Sequence, residues 1–101
     1  MPIQTRLEDE GETLVIQIDG RFDFSTHQAF RDAYEQGGPK IGRYVIDLAN
    51  TTYLDSSALG MLLLLRDYAG GDSSRISIRN CISDVRRILS VSNFEQLFAI
   101  Q

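Results

Sequence analysis

The chain has 101 residues with 14 acidic and 10 basic side chains, which gives a formal net charge of −4. This length predicts a single domain, and a hydrophobic content of 43% is too high for a disordered chain. One His and one Cys cannot supply a structural zinc site or an internal disulfide, and the acidic balance argues against a nucleic-acid-binding surface.

The first part of the chain predicts two paired strands. Residues 13–19 are rich in β-branched side chains and predict a strand that Gly20 closes. Residues 3–8 alternate weakly between polar and apolar side chains. We expect these two segments to form a hairpin, so that the first strand runs antiparallel to the second.

A helix and another clear strand are predicted next. Ser25 and Thr26 are expected to cap a helix that stops at the Gly-Gly-Pro of residues 37–39. Residues 43–49 have a nearly continuous apolar centre, which is typical of a strand in a parallel sheet.

The second half of the chain repeats this alternation. Residues 55–57 are expected to cap a leucine-rich helix over residues 58–68. A short strand at 76–78, a helix capped by residues 83–84 and a last edge strand at 97–100 follow. The order predicts an α/β domain with a mixed, mostly parallel sheet of four to five strands, an antiparallel first strand and three to four helices.

Asp55, Ser56 and Ser57 are the most informative residues of the chain. They follow a buried strand and begin a helix, so two hydroxyl groups are expected at a helix N-terminus. Backbone N–H groups at that end can stabilise an anion such as a phosphate. The same tripeptide also makes a good N-cap without any further function, and both interpretations stay open at this point.

Catalysis by one of these serines would need a neighbouring base. His27 is the only His, nothing in the sequence places it near Ser56, and its position in the first turn of a predicted helix favours the protein surface. The chain has neither the Gly-x-Ser-x-Gly elbow of hydrolases nor a Gly-rich phosphate loop. The sequence therefore predicts no catalytic, cofactor-binding or metal-binding residues and favours a protein that is not an enzyme.

Two other features have plain structural interpretations. The four successive leucines at residues 62–65 point around much of their helix, so they predict core packing with one flank that a partner could contact. Cys81 is expected to be a small buried side chain, because no strongly basic surroundings favour a reactive thiolate.

Three segments of the chain resemble one protein family. Residues 55–60, Asp-Ser-Ser-Ala-Leu-Gly, before a leucine-rich helix are similar to the signature of the STAS domain, and of the bacterial anti-sigma factor antagonists in particular. Residues 20–23, Gly-Arg-Phe-Asp, and residues 88–98 resemble the family's turn after the second strand and its C-terminal pattern. Ala58 and Asn93 stand where the family commonly has Gly, but Ala favours a helix and Asn tolerates a left-handed turn.

The resemblance covers essentially the whole chain and implies one STAS domain over residues 1–101. It implies a phosphorylation switch in which Ser56 is the modified residue and in which Asp23, Asp55, Ser56 and Ser57 contact the partner. The unphosphorylated protein would bind an anti-sigma factor, and phosphorylation by a kinase partner, often the anti-sigma factor itself, would end that binding. A PP2C-type serine phosphatase, in some branches fused to a response regulator, would reset the switch.

A ligand-sensing STAS module that binds a nucleotide or an apolar small molecule is the alternative, although no Gly-rich loop or aromatic clamp supports it. The N-terminus lacks the pattern of a signal peptide, and the longest apolar run is far shorter than the ~20 residues of a membrane helix. We therefore expect a cytoplasmic protein that binds neither membranes nor nucleic acids and is monomeric when free.

Overall fold

The computed structural model describes residues 2–101, in which the chain forms seven strands and three α-helices. The strands are β1 (Ile3–Glu8), β2 (Thr13–Ile18), β3 (Gly20–Phe22), β4 (Arg43–Asp47), β5 (Thr51–Leu54), β6 (Ile76–Arg79) and β7 (Ala99–Ile100). The helices are α1 (His27–Glu35), α2 (Ser56–Tyr68) and α3 (Ser83–Val91). Single turns of 3-10 helix lie at residues 9–11, 24–26, 38–40, 71–73 and 94–96.

Five of these strands form one mixed sheet in the order β1-β2-β4-β6-β7. β1 pairs antiparallel with β2, with Ile3 opposite Ile18, and the other neighbouring strands of this sheet pair in parallel. The predicted α/β domain, with a mostly parallel sheet, an antiparallel first strand and three helices, is confirmed.

The remaining strands, β3 and β5, form a second parallel sheet that the sequence pattern did not reveal. The second strand ends just before Gly20, one residue earlier than predicted, but another strand follows it at once. β2 ends at Ile18, and Gly20, with φ of +79°, turns the chain directly into β3. Thr51 ties β5 to this turn, because its buried hydroxyl donates to the Ile18 carbonyl oxygen at 2.7 Å. Strands of three and four residues are too short to show alternation, so both segments looked like loops.

The hydrophobic core lies between one face of the five-stranded sheet and the three helices. Alternate residues of the strands supply it, such as Ile16 in β2 and Ile46 in β4. The leucine run divides as expected: Leu62 and Leu65 are fully buried, whereas Leu63 and Leu64 are 40% and 54% exposed. Helix α2 therefore contributes to the core and keeps an uncovered apolar flank.

Some predicted element ends are wrong. Thr26 occupies the N-cap position of α1, as predicted, although its side chain makes no capping hydrogen bond. Ile82 occupies the N-cap position of α3, also without a capping hydrogen bond. Residues 83–84, predicted as the cap of α3, already lie in its first turn. The last strand pairs over two residues only, and Leu97 precedes it as an exposed side chain. Asn93 has φ of +60°, so the expected left-handed turn is confirmed.

Two further expectations concern Cys81 and the membrane. Cys81, predicted as buried, is half-buried, and this burial raises the pKa of its thiol. In the part of the chain that the structure describes, none of the helices has the length and apolar character that crossing a membrane requires.

Candidate functional site

The small sheet brings two aspartates to one edge of the molecule. Phe22 of β3 is the register partner of Leu54 of β5, and both side chains are buried. Asp23 and Asp55 directly follow these two residues, so they lie next to each other at the carboxyl ends of parallel strands. Hydrogen bonds, first that from Ser57, lower the pKa of the Asp55 carboxyl, and the negative charge of Asp23 opposes this lowering only weakly.

Asp55 is the N-cap of α2. Its Oδ1 accepts hydrogen bonds from the Ser57 hydroxyl at 2.6 Å and from the Ala58 backbone N–H at 3.1 Å. These two bonds, chiefly the one from Ser57, lower the pKa of Asp55, so its carboxylate is ionised at neutral pH. The negative charge complements the positive end of the helix dipole. The predicted cap is confirmed, and α2 begins at Ser56, two residues earlier than predicted.

Asp23 repeats this arrangement on the neighbouring strand. Its Oδ1 accepts hydrogen bonds from the Ser25 hydroxyl at 2.5 Å and from the Ser25 backbone N–H at 3.0 Å. Its Oδ2 accepts from the Arg21 Nε–H at 3.2 Å. The Ser25 hydroxyl is the main cause of the lowered pKa of Asp23. Two ionised carboxylates, each held by its own turn, therefore stand at adjacent strand ends.

The two serines of the tripeptide differ in their surroundings. Ser57 is half-buried, and its hydroxyl donates to Asp55. Ser56 is exposed as the first residue of α2, and within residues 2–101 its hydroxyl takes part in none of the side-chain hydrogen bonds. The Ser56 hydroxyl is therefore the one that an approaching enzyme can reach without breaking an internal bond.

Aromatic side chains lie beside this acidic edge. The Arg21 guanidinium lies 4.0 Å from the centre of the Tyr53 ring, and Tyr53 is 40% exposed. Phe24, which follows Asp23 directly, is 70% exposed and stacks on His27 with 5.3 Å between the ring centres. Sequence reasoning missed these residues. The usable signal was position, because Phe24 and Tyr53 each lie within two residues of a predicted site aspartate.

The cavity between α1 and α2 is a separate feature. It has a volume of about 190 Å³, and its walls include Phe30, Met61, Leu64 and His27. None of the four residues predicted to contact a partner lines it. The prediction of a surface position for His27 is wrong in part, because this residue is half-buried. Over residues 2–101, no three His, Cys, Asp or Glu side chains are grouped closely enough to hold a metal ion.

Comparison with a family model decides the family. Residues 5–99 match the model described as "Mlab, STAS domain". The chain belongs to the STAS-domain family. This STAS domain is 65% identical over 91 residues to the "STAS-domain containing protein PA14_20770" of Pseudomonas aeruginosa strain UCBPP-PA14, with 90% of each chain covered.

Solved structures carry the same fold as this STAS domain. One is the anti-sigma factor antagonist SpoIIAA in its unphosphorylated form, with a TM-score of 0.72 at 19% identity, covering 98% of this chain and 86% of that one. Another is the Bacillus cell fate determinant SpoIIAA in its phosphorylated form, with a TM-score of 0.66 at 18% identity, covering 98% and 90%. The STAS domain therefore has the fold of anti-sigma factor antagonists.

Proposed function

We propose that this STAS domain, taken as residues 1–101, is an anti-sigma factor antagonist that works as a phosphorylation-controlled partner switch. Its unphosphorylated form binds an anti-sigma factor, and phosphorylation of Ser56 releases that partner. The observation that carries the proposal is the exposed, unengaged hydroxyl of Ser56 at the N-terminus of α2, beside two ionised carboxylates.

The position of Ser56 suits a phosphate that leaves the fold unchanged. A phosphoserine adds a charge of about −1.5 to −2 and three acceptor oxygens. At the first turn of a helix this charge faces unpaired backbone N–H groups and the positive end of the helix dipole. We therefore expect the phosphorylated domain to keep its stability and its structure. SpoIIAA, which has the same fold, has been solved in both forms.

The effect of the phosphate is instead expected at the partner's surface. Asp23 and Asp55 are already ionised and contribute two negative charges to this edge. A partner surface that accepts the neutral Ser56 hydroxyl would have to desolvate a dianion next to these carboxylates. An uncompensated penalty of about 3 kcal/mol weakens binding by more than a hundredfold. In this proposal Asp23, Asp55, Ser56 and Ser57 contact the partner.

The phosphoryl chemistry belongs to other proteins. A serine kinase, which can be the anti-sigma factor itself, supplies the ATP and metal site for phosphorylation. Asp55 orients the start of α2 so that the Ser56 hydroxyl faces outward, and a PP2C-type phosphatase removes the phosphate. A cytoplasmic location and a free monomer are part of the same proposal.

The ligand-sensing alternative has weaker support. The cavity between α1 and α2 lies away from the residues singled out by the sequence, and none of Asp23, Asp55, Ser56 or Ser57 lines it. A nucleotide or small molecule bound there would act at a different place. Saturable binding in a calorimetric titration of the purified domain with nucleotides would favour this alternative.

The decisive experiment pairs phosphosite mapping with partner binding. The domain is incubated with ATP and its candidate kinase, and the phosphosite is mapped by mass spectrometry. We expect phosphate on Ser56 and none in Ser56→Ala, whereas Ser57→Ala should still carry its phosphate on Ser56. Ser56→Ala should keep partner binding, whereas Ser56→Glu should weaken it strongly. Phosphate on another residue, or partner binding that Ser56→Asp and Ser56→Glu leave intact, would contradict the switch.

A further inference from the structure

A pair of arginines occupies the opposite ends of the strands. Tyr44 of β4 and Ile76 of β6 are register partners that point into the core. The residues immediately before them, Arg43 and Arg75, therefore lie side by side on the face of the sheet turned away from the helices. The Tyr44 backbone N–H donates to the Arg75 carbonyl oxygen at 2.9 Å, and this bond fixes the register of the two strands at the arginine pair.

Neither of these guanidinium groups forms an ion pair within residues 2–101. Both residues are exposed, and in the part of the chain that the structure describes neither has a carboxylate oxygen within 4.0 Å. Asp9 and Glu12 line a neighbouring cavity that both arginines also line. Neither of these two carboxylates, however, comes within 4.0 Å of a guanidinium nitrogen of Arg43 or Arg75. Like charges on neighbouring strand positions repel each other, so an anion between them would be stabilising.

A shallow cavity joins the arginine pair to the end of the sheet. It has a volume of about 450 Å³, and Arg43, Arg75, Ser77 and Gln101 supply guanidinium, hydroxyl and amide donors along its walls. Leu97 lines the same cavity and is 39% exposed. We call these five residues the basic sheet cavity. It offers hydrogen-bond donors together with one apolar contact.

We propose that the basic sheet cavity binds an extended, acidic peptide segment of a partner protein. A carboxylate of this segment lies between Arg43 and Arg75, and an apolar side chain of the segment packs on Leu97. Charge complementarity selects an acidic occupant, since guanidinium groups pair with carboxylates in a fork geometry. This binding site lies at the other end of the strands from Ser56. Peptide binding there does not depend on phosphorylation of Ser56.

The shape and charge of the region favour a peptide over other anions. A free phosphate would leave Leu97 and the far end of the cavity unused. A nucleic acid or an anionic membrane would meet a chain with a net charge of −4 and only two neighbouring cations, far from the clustered basic surface that such binding needs.

Fluorescence anisotropy with a labelled peptide, Gly-Glu-Glu-Leu-Glu-Glu-Gly, tests the proposal on the full chain. We expect saturable binding at low salt that the double variant Arg43→Gln/Arg75→Gln weakens by about tenfold or more. The matched double variant Arg86→Gln/Arg87→Gln, which removes the same two charges from exposed positions of α3, should change affinity less than about twofold. No binding of the peptide, or equal losses in both variants, would overturn the proposal.

Three further measurements locate the contact. The matched peptide with Gln in place of Glu should not bind, and Leu97→Gln should weaken the Leu-containing peptide but not an all-Glu peptide. In NMR titrations the peptide should shift the signals of Ser77, Ala99 and the two arginine Nε–H groups. Inorganic phosphate that produces the same shifts at the same concentration would contradict a peptide site. The double variant should unfold at or above the wild-type temperature, because removing the two neighbouring positive charges relieves their repulsion. A cooperative thermal transition at that temperature shows that the double variant is folded.

Discussion

The two charged regions of this domain lie at opposite ends of its strands and are built in different ways. At the carboxyl end, Asp23 and Asp55 are satisfied by hydrogen bonds from their own turns. At the amino end, Arg43 and Arg75 have no carboxylate partner in the described residues. The acidic edge is thus preorganised before any partner arrives, whereas the basic edge gains its counter-charge only on binding. Substitutions and pH changes that remove the internal support of the acidic edge can test this difference.

The largest effect is expected from the support beneath the acidic edge. Phe22 is fully buried at the end of β3, and its ring centre lies 5.2 Å from that of Phe30 in α1. Phe22→Ala would leave a cavity directly below Asp23 and should lower the free energy of unfolding by about 3–5 kcal/mol. Urea unfolding measures this loss. Phe22→Leu, which refills most of the volume, should recover most of it, and a loss below about 1 kcal/mol in Phe22→Ala would show that β3 does not support the edge.

The cap of α2 is the next most sensitive point. Asp55→Ala removes the acceptor for the Ala58 N–H and the Ser57 hydroxyl. We expect a fall in Tm of roughly 4–8 °C, since the loss of an N-cap in a domain of this size has that effect. Asp55→Asn keeps an acceptor oxygen but loses the negative charge, so its Tm should lie between those of the wild type and Asp55→Ala. If Asp55→Ala unfolds at the wild-type temperature by circular dichroism, the cap does not organise this edge.

Acid should destabilise the domain through the two carboxylates of the acidic edge. The folded-state pKa values of Asp23 and Asp55 are lowered, so each carboxylate stabilises the fold at pH values above its unfolded pKa of about 3.9. This contribution is lost as the pH falls through the lowered folded-state values. Stability measured by urea unfolding from pH 7 to pH 2.5 should therefore fall mainly below about pH 4. The decrease should be shallower in Asp23→Asn/Asp55→Asn, and an identical decrease in this double variant would exclude the two carboxylates as its cause.

The local part of this site could be predicted and the nonlocal part could not. The Asp55 cap depends on residues that are neighbours in sequence, so the tripeptide alone indicates it. The placement of Asp23 beside Asp55 depends on the pairing of β3 with β5. These strands are only three and four residues long, and 28 residues separate the end of β3 at Phe22 from the start of β5 at Thr51. Local sequence patterns do not reveal a pairing over this distance. The larger sheet was easier to predict, because β2 and β4 are longer and strongly apolar.

The smallest effect tests the turn that starts β3. Gly20 has φ of +79°, and a Cβ added there would meet no atom within 4 Å, so Gly20→Ala costs backbone strain alone. We expect the free energy of unfolding to fall by about 1 kcal/mol.

Gly60 is the matched control, because it lies inside α2 and an added Cβ there also meets open space. Gly60→Ala should stabilise the domain by roughly 0.5–1 kcal/mol, since Ala favours a helix. Opposite signs in the two variants would show that the left-handed turn, and not side-chain crowding, directs the chain from the large sheet to the acidic edge. Equal signs would contradict that role for Gly20.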